Sequence, residues 1–293
     1  MNRRNGMSDS TSIEAAWRAH HPYLVNLAYQ MVGDIGDAED VAQEAFLRLA
    51  RTDAEHLDDV RAWLTVVAGR LCLDQVRSAR SRLERPDPGV LLESTASTGA
   101  DPADRVTLDD EVRAALFEVL NRLSPGERVA FVLHDVFAVP FEDIAETVGR
   151  PVGTCRQLAR RARAKFTGAT HRPLDVAAIQ HRQVMETFIA ACATGDIDAL
   201  TSVLDPTVWG VGTVLADPAP PPQINHGADA VATNLLRYLG PGATLVCGAA
   251  GEPVLLAYDR RRLFAVVTLT IRGGLVTKIE ATADPSAREA PQP

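Results

Sequence analysis

The chain has 293 residues, 46% of them hydrophobic, which is enough for about two to three domains that each bury their own core. Its formal net charge is −8, its cysteines (Cys72, Cys155, Cys192 and Cys247) are far apart with no CxxC pair, and no stretch is long and apolar enough to span a bilayer. These features argue against a disulfide framework, a metal site and a membrane protein; the start, MNRRNGMSDS, has basic residues with no apolar run behind them, so the expected location is the cytoplasm.

In chain order, residues 12 to 32 read as a helix, with Ile13, Trp17, His20/His21, Leu24, Leu27, Ala28 and Met31 at helical spacing and Gly33 ending it. A second helix, DAEDVAQEAFLRLAR from Asp37, turns Val41, Ala45, Phe46 and Leu49 inward and leaves Asp37, Glu39, Asp40, Gln43 and Glu44 on an acidic side. Acids in a first turn complement the helix dipole, so this side is either an ordinary solvated face or a docking face for a basic partner. After a polar loop, Arg51 to Asp59, a third helix carries Val60, Leu64, Val67 and Leu71 beside Trp63, with Arg70, Asp74, Arg77 and Ser81 on its polar face and Arg80, Arg82 and Arg85 following. Those charges suit either intrahelical ion pairs or single-stranded DNA next to an aromatic ring. From about Glu84 to Val106 the periodicity disappears among Pro, Gly, Ser and Thr, which predicts a flexible linker before a helix over Asp109 to Leu123.

Ser124 to Phe166 reads as three helices, the last two a helix-turn-helix. Ser124-Pro125-Gly126-Glu127 is a capping box with proline at the first helical position; Phe141 to Val148 forms a short helix that Gly149 can end; a third helix starts near Val152. Arg150, Arg156, Arg160, Arg161, Arg163, Lys165 and Arg172 follow with no acid among them, against the acidic whole. Arg156, Arg160 and Arg163 fall at i, i+4 and i+7, a face whose guanidinium groups suit phosphates and guanine edges when such a helix lies in the major groove.

The motif order DAEDVAQEAFLRL, AWLTVVAGRLCLDQVRSAR, a linker and LSPGERVAFVLHDVFAVPFEDIAETVGRPVGTCRQLARRARAKF resembles the extracytoplasmic-function sigma factors of the sigma-70 family, over roughly residues 12 to 168. The resemblance implies two all-α domains, region 2 at 10–83 and region 4 at 108–168, joined by a linker at 84–107. It also implies core RNA polymerase, through its β′ clamp and β flap, and promoter DNA as partners. On the matching positions, clamp binding falls on Asp37, Asp40, Gln43, Glu44 and Phe46, and capture of a flipped −10 base on about Thr52 to Asp59. Strand opening at the −10 element falls on Trp63, Arg70, Asp74, Arg77 and Arg80, and −35 reading on Thr154, Arg156, Gln157, Arg160, Arg161 and Arg163. CRQLARRAR is similar to the C-terminally extended actinobacterial subgroup of these factors.

Beyond Pro173, Val176 to Cys192 predicts an amphipathic helix, Ile197 to Leu204 a short one, and Gly227 to Leu239 a third. Thr207–Leu215, Ala243–Cys247, Pro253–Tyr258, Leu263–Ile271 and Leu275–Ala283 predict strands, with ADPAPPPQ a proline-rich loop and Arg272-Gly273-Gly274 a turn. Three helices on a bent sheet make an α+β cone over 174–284, and FIAACATGDIDALTSVLDP resembles the SnoaL-like, nuclear-transport-factor-2-like domains. Such a fold encloses a pocket able to take a small molecule. Asp205, Asp217, His226 and Asp259 are candidate acid–base groups, but none sits at a spacing that demands catalysis, so no catalytic residue or cofactor is assigned. The leading expectation is a transcription initiation factor regulated in cis by its cone; the alternatives are a cone-type isomerase or cyclase fused to a DNA-binding part, and a helix-turn-helix repressor. The acidic helix before Trp63 favours the first.

Overall fold

Helix α1 (Asn5–Val32) ends where Gly33 adopts φ 82° and its N–H bonds Tyr29 O at 2.9 Å. Asp34 then caps α2 (Ile35–Leu49) by accepting the Asp37 N–H. With α3 (Val60–Glu84) these form a bundle whose core includes Leu24, Leu27, Met31, Val41, Phe46, Leu64 and Val67. The structure is a computed structural model that describes residues 5–52, 57–84, 122–165, 176–216, 218–240, 242–248 and 253–287. The expected linker and the helix expected over Asp109 to Leu123 fall, but for their end residues, outside these, as does part of the Thr52 to Asp59 loop.

Helix α4 (Pro125–Phe131) opens on the expected capping box, with the Ser124 N–H donating to Glu127 Oε2 at 2.9 Å. It runs on into a π-helical turn, Val132–Val136. Helices α5 (Phe141–Val148) and α6 (Val152–Lys165) complete the helix-turn-helix; Gly149, at φ 67°, takes the left-handed conformation that ends α5. Cys155, Ala159 and Ala162, at i, i+4 and i+7, seat α6 on α4 and α5.

Beyond them, α7 (Val176–Thr194), α8 (Ile197–Ser202) and α9 (Ala228–Leu239) pack on one six-stranded sheet. Its strands are β1 (Leu204–Val214), β2 (Gln223–His226), β3 (Thr244–Cys247), β4 (Val254–Asp259), β5 (Arg262–Arg272) and β6 (Leu275–Ala283), in the order β2-β1-β6-β5-β4-β3. Neighbours are antiparallel except β1 and β6, which are parallel. The first helix starts at Asn5, earlier than the expected residue 12, and two features of the cone also differ from the sequence reading. The short helix stops at Ser202 and the strand begins at Leu204, because the Pro206 segment is absorbed as an irregularity in the β1–β6 register between Leu204 and Trp209. Strand β2 emerges from the end of the proline-rich loop; it is four residues long and mostly exposed, so it has no apolar alternation to announce it.

Both faces of β3, β4 and β5 are covered. Leu245, Leu255, Ala257 and Val267 point into the cone, whereas Val246, Leu256, Tyr258 and Leu263 join the core formed by the helices from α1 to α6. The cone is therefore seated on the helical modules through the outer face of its own sheet.

Candidate protein and nucleic-acid interfaces

On α2, Asp37, Asp40 and Gln43 are exposed and Glu44 half-buried, its carboxylate accepting from Arg48 Nε at 2.9 Å. Phe46 lies behind this face at 4% exposure, its ring 4.7 Å from Trp17, so it supports the acidic side instead of projecting from it. Trp17 in turn stacks on His21, where burial holds the imidazole down to about 4 and therefore neutral near pH 7. Burial first, and then the charges of Asp34 and Asp40, push the Asp37 carboxyl above its ordinary range.

The β4–β5 hairpin meets that face. Arg261 Nη2 donates to Asp40 Oδ1 at 2.6 Å and Nε to Glu39 Oε2 at 3.0 Å, while Thr244 Oγ1 bonds Glu39 Oε1 at 3.3 Å. The bond to Asp40, then that to Glu39, raises the guanidinium above its ordinary value and keeps Arg261 charged. Arg260 and Arg261 occupy the turn at φ 47° and 66°, left-handed positions that a tight hairpin normally gives to Asn or Gly. Such conformations persist when the surroundings over-determine them, and the acids of α2 do so for Arg261. A Cβ at Gly36 would lie 3.0 Å from Arg261 Nη1, so a residue without a side chain gives the arginine its path.

Deeper in the same seam, α1 treats the edge strand β3 as a pairing partner. Asn26 Oδ1 accepts the Cys247 N–H at 2.8 Å, and Gln30 Nε2 donates to the carbonyls of Cys247 at 2.6 Å and Gly248 at 2.9 Å. Both amides are almost wholly buried, and the Tyr29 and Tyr258 hydroxyls meet at 2.9 Å beside them. An edge that would otherwise offer free backbone groups is thus satisfied by side chains.

The α3 positions Trp63, Arg70, Asp74 and Arg77 share one stripe, with Arg80 a turn further on and exposed. Trp63 is half-buried against the bundle core, and Asp74 and Arg77 face each other at 3.9 Å. Arg70 reaches α5, donating to Glu146 O at 3.2 Å and to Glu146 Oε1 at 3.0 Å. A Cβ at Gly69 would stand 2.7 Å from Thr147 Cγ2, so α5 lies close on this part of α3. Arg128 of α4 also donates to Met31 O at 3.1 Å, at the C-terminal end of α1. The helix-turn-helix is thereby held against the bundle.

On α6, Arg156, Gln157, Arg160 and Arg161 are exposed and Thr154 half-buried. Arg156 lies over the Phe141 ring at 5.5 Å with Glu142 at 3.8 Å. Arg163 turns inward: its Nε donates to Asp135 Oδ1 at 2.8 Å, as Lys165 donates to Glu127 Oε2 at 2.6 Å. Burial opposes ionisation of Glu127, but Lys165 and the Ser124 backbone bring its carboxyl below the usual range. Arg182 of α7 bonds Asp135 O at 3.3 Å, tying the cone's first helix to the same turn.

Of the acid–base candidates, Asp205 is half-buried and accepts from Thr207, His226 is exposed, Asp259 is half-buried at the end of β4, and Asp217 lies outside the described residues. They do not converge. Among the described residues no group of His, Cys, Asp and Glu could hold a metal ion, and no helix is long and apolar enough to cross a membrane.

A helical bundle followed by a helix-turn-helix, with acids on one and arginines on the other, is the layout of sigma-70 regions 2 and 4. Sigma-70 region 2 matches residues 16–82 and sigma-70 region 4 matches residues 113–166. The chain is 48% identical over 289 residues to a probable ECF RNA polymerase sigma factor SigI of Mycobacterium tuberculosis, covering 96% of both chains. It is 36% identical to the ECF RNA polymerase sigma factor SigJ of the same organism, covering 92% of this chain and 91% of that one. The crystal structure of M. tuberculosis SigJ aligns over 93% of this chain and 97% of that one at 34% identity, with a TM-score of 0.38. The chain belongs to the extracytoplasmic-function sigma factors of RNA polymerase, with an α+β cone as its C-terminal extension. Its activity is accordingly to bind core polymerase and direct it to promoters, and its relatives are named as sigma factors, not enzymes.

Proposed function

We infer that the acidic side of α2, through Asp37, Asp40, Gln43 and Glu44 with Phe46 behind them, docks on the basic β′ clamp of core polymerase in the cytoplasm. Trp63, Arg70, Asp74, Arg77 and Arg80 serve the −10 element, and Thr154, Arg156, Gln157, Arg160 and Arg161 the −35 element, with Arg163 bracing the reading helix and region 4 also meeting the β flap. Residues 10–83 and 108–168 act as the two sigma modules, 84–107 as the linker and 174–284 as a cis regulator. The regulation is inhibitory: the cone holds the chain in a closed form in which α2 and α3 are already occupied. One observation carries this reading, the pairing of Arg261 with Asp40 and Glu39 on the face a basic clamp would use.

Glu44 lies on that face but outside the reach of Arg261, so Glu44→Arg separates docking from regulation. It is expected to lower affinity for core polymerase by about tenfold or more, since like charges then face each other across the interface. Equal affinity of wild type and variant for core enzyme, measured by fluorescence titration, would remove α2 from the docking surface.

Arg156→Ala and Arg160→Ala are expected to weaken upstream-element binding by about 1–3 kcal/mol for whichever arginine makes a bidentate base contact. A phosphate contact instead weakens all sequences alike and flattens the salt slope. Titrations against cognate and scrambled duplexes at several salt concentrations distinguish the two, and no loss on either duplex means a solvated face.

A further inference from the structure

The cone contains a cavity of about 100 Å³ that serves neither the seam with α1 and α2 nor the helix-turn-helix. Its floor is three adjacent strands in register. Gln223, Gly212 and Ala281 form one cross-strand row, Asn225, Gly210 and Ile279 the next, and Val214 and Ala283 a third. Its roof is one stripe of α9, Val231, Asn234, Leu235 and Tyr238, at i, i+3, i+4 and i+7.

The cavity exists because four small residues, Gly210, Gly212, Ala281 and Ala283, stand together on neighbouring strands under α9. A Cβ at Gly212 would meet nothing within 4 Å, and one at Gly210 would only rest on Val231 at 3.6 Å. Glycine in a strand weakens it, and apolar walls left without packing partners forgo contacts, so two glycines and two alanines around one hollow are a local cost to the fold. Interiors otherwise close to crystal-like density.

The lining fixes the chemistry of an occupant. It has no Asp, Glu, Lys, Arg or His, so a charged molecule would lose its hydration with no counter-charge in return, and no general acid–base pair is at hand for turnover. Most of the wall is apolar, and the polar groups are the amides of Gln223, Asn225 and Asn234 with Thr213 and Tyr238. The amides of Asn225 and Asn234 are half-buried, and an amide offers both a donor and an acceptor. For scale, a closed apolar cavity of about 150 Å³ takes up benzene; this hollow is smaller but opens to solvent, so part of a single-ring occupant projects from it.

We propose that this cavity is a binding site for a small uncharged amphiphile, with a single ring or branched alkyl group seated between Gly212, Ala281 and Leu235 and a hydroxyl or carbonyl on the amides of Asn225 and Asn234. The cone senses this molecule and does not transform it.

The test is a two-dimensional amide NMR titration of the full chain with cyclohexanol, one ring and one hydroxyl, against cyclohexanecarboxylate and cyclohexylammonium. Cyclohexanol should give saturable shifts confined to β1, β2, β6 and α9, and the two charged analogues none. Gly212→Leu fills the void and should abolish the shifts while leaving the β3–β5 resonances in place. If that variant does not fold, Asn234→Asp, which puts a charge in the wall, should lower cyclohexanol affinity at neutral pH by severalfold. No saturable shift with cyclohexanol, equal binding by the carboxylate or ammonium analogue, or undiminished binding in a folded variant would each overturn the proposal.

Discussion

Replacing Gln30 by alanine is expected to speed alkylation of Cys247 and to raise the affinity of the full chain for core polymerase together. In the closed form Gln30 Nε2 satisfies two carbonyls of the β3 edge, and in an open form water would do so. The substitution therefore penalises the closed form alone. Leaving buried acceptors unpaired costs about 1–3 kcal/mol, which shifts the closed-to-open ratio by about 5- to 150-fold. Cys247 reports that ratio directly. It is buried in the seam, where desolvation pushes its thiol up to about 12, so the closed form has almost no thiolate at pH 8 and reaction proceeds through the open form. Cys72 and Cys192 are buried in the bundle and in the cone, away from the β3 edge, and serve as internal controls when modification is read residue by residue by mass spectrometry. Faster alkylation with unchanged polymerase affinity would mean that opening does not expose the docking face; no change in either would mean that the amide contributes nothing to the seat.

The described elements of both sigma modules were legible because each carries its own local signal. The capping box at Ser124 and the left-handed Gly149 are written within a few residues and needed no tertiary information. The acidic side of α2 was legible as a side but not as an occupied one, since its occupant comes from more than two hundred residues away in sequence, with Arg261 on Asp40. One trace existed: Asp259-Arg260-Arg261-Arg262 joins two strands with no Gly or Asn in the turn, a local rule broken without local compensation. Asn26 and Gln30 drew no expectation from the sequence, and only the edge strand against them explains why they are buried. Arg163 illustrates the opposite limit. Its spacing with Arg156 and Arg160 placed it on a DNA-facing stripe, but a side chain that long is placed by its nearest acid, and buried Asp135 draws it back to the protein.

Ending the chain after Gly168 has the largest expected effect, because it removes every contact of the cone at once. The truncated protein loses Arg261 from Asp40 and Glu39, and its α2 face is then as available in free solution as in any open state. Affinity for core polymerase and promoter-dependent transcription should both rise by at least the factor seen for Gln30→Ala, up to the full closed-to-open ratio. Stability should move the other way. The same cut uncovers the surface of α1 on which Val246, Leu256, Tyr258 and Leu263 rest, so the melting temperature should fall and binding of an apolar dye should increase. The opposite signs are what make the test decisive. A cone that merely braces the modules for polymerase would give lower affinity together with lower stability, and a cone with no part in regulation would lower stability while leaving affinity unchanged. Only higher affinity in a less stable protein fits a domain that lends its sheet to the bundle and withholds the acidic face of α2 while it does so.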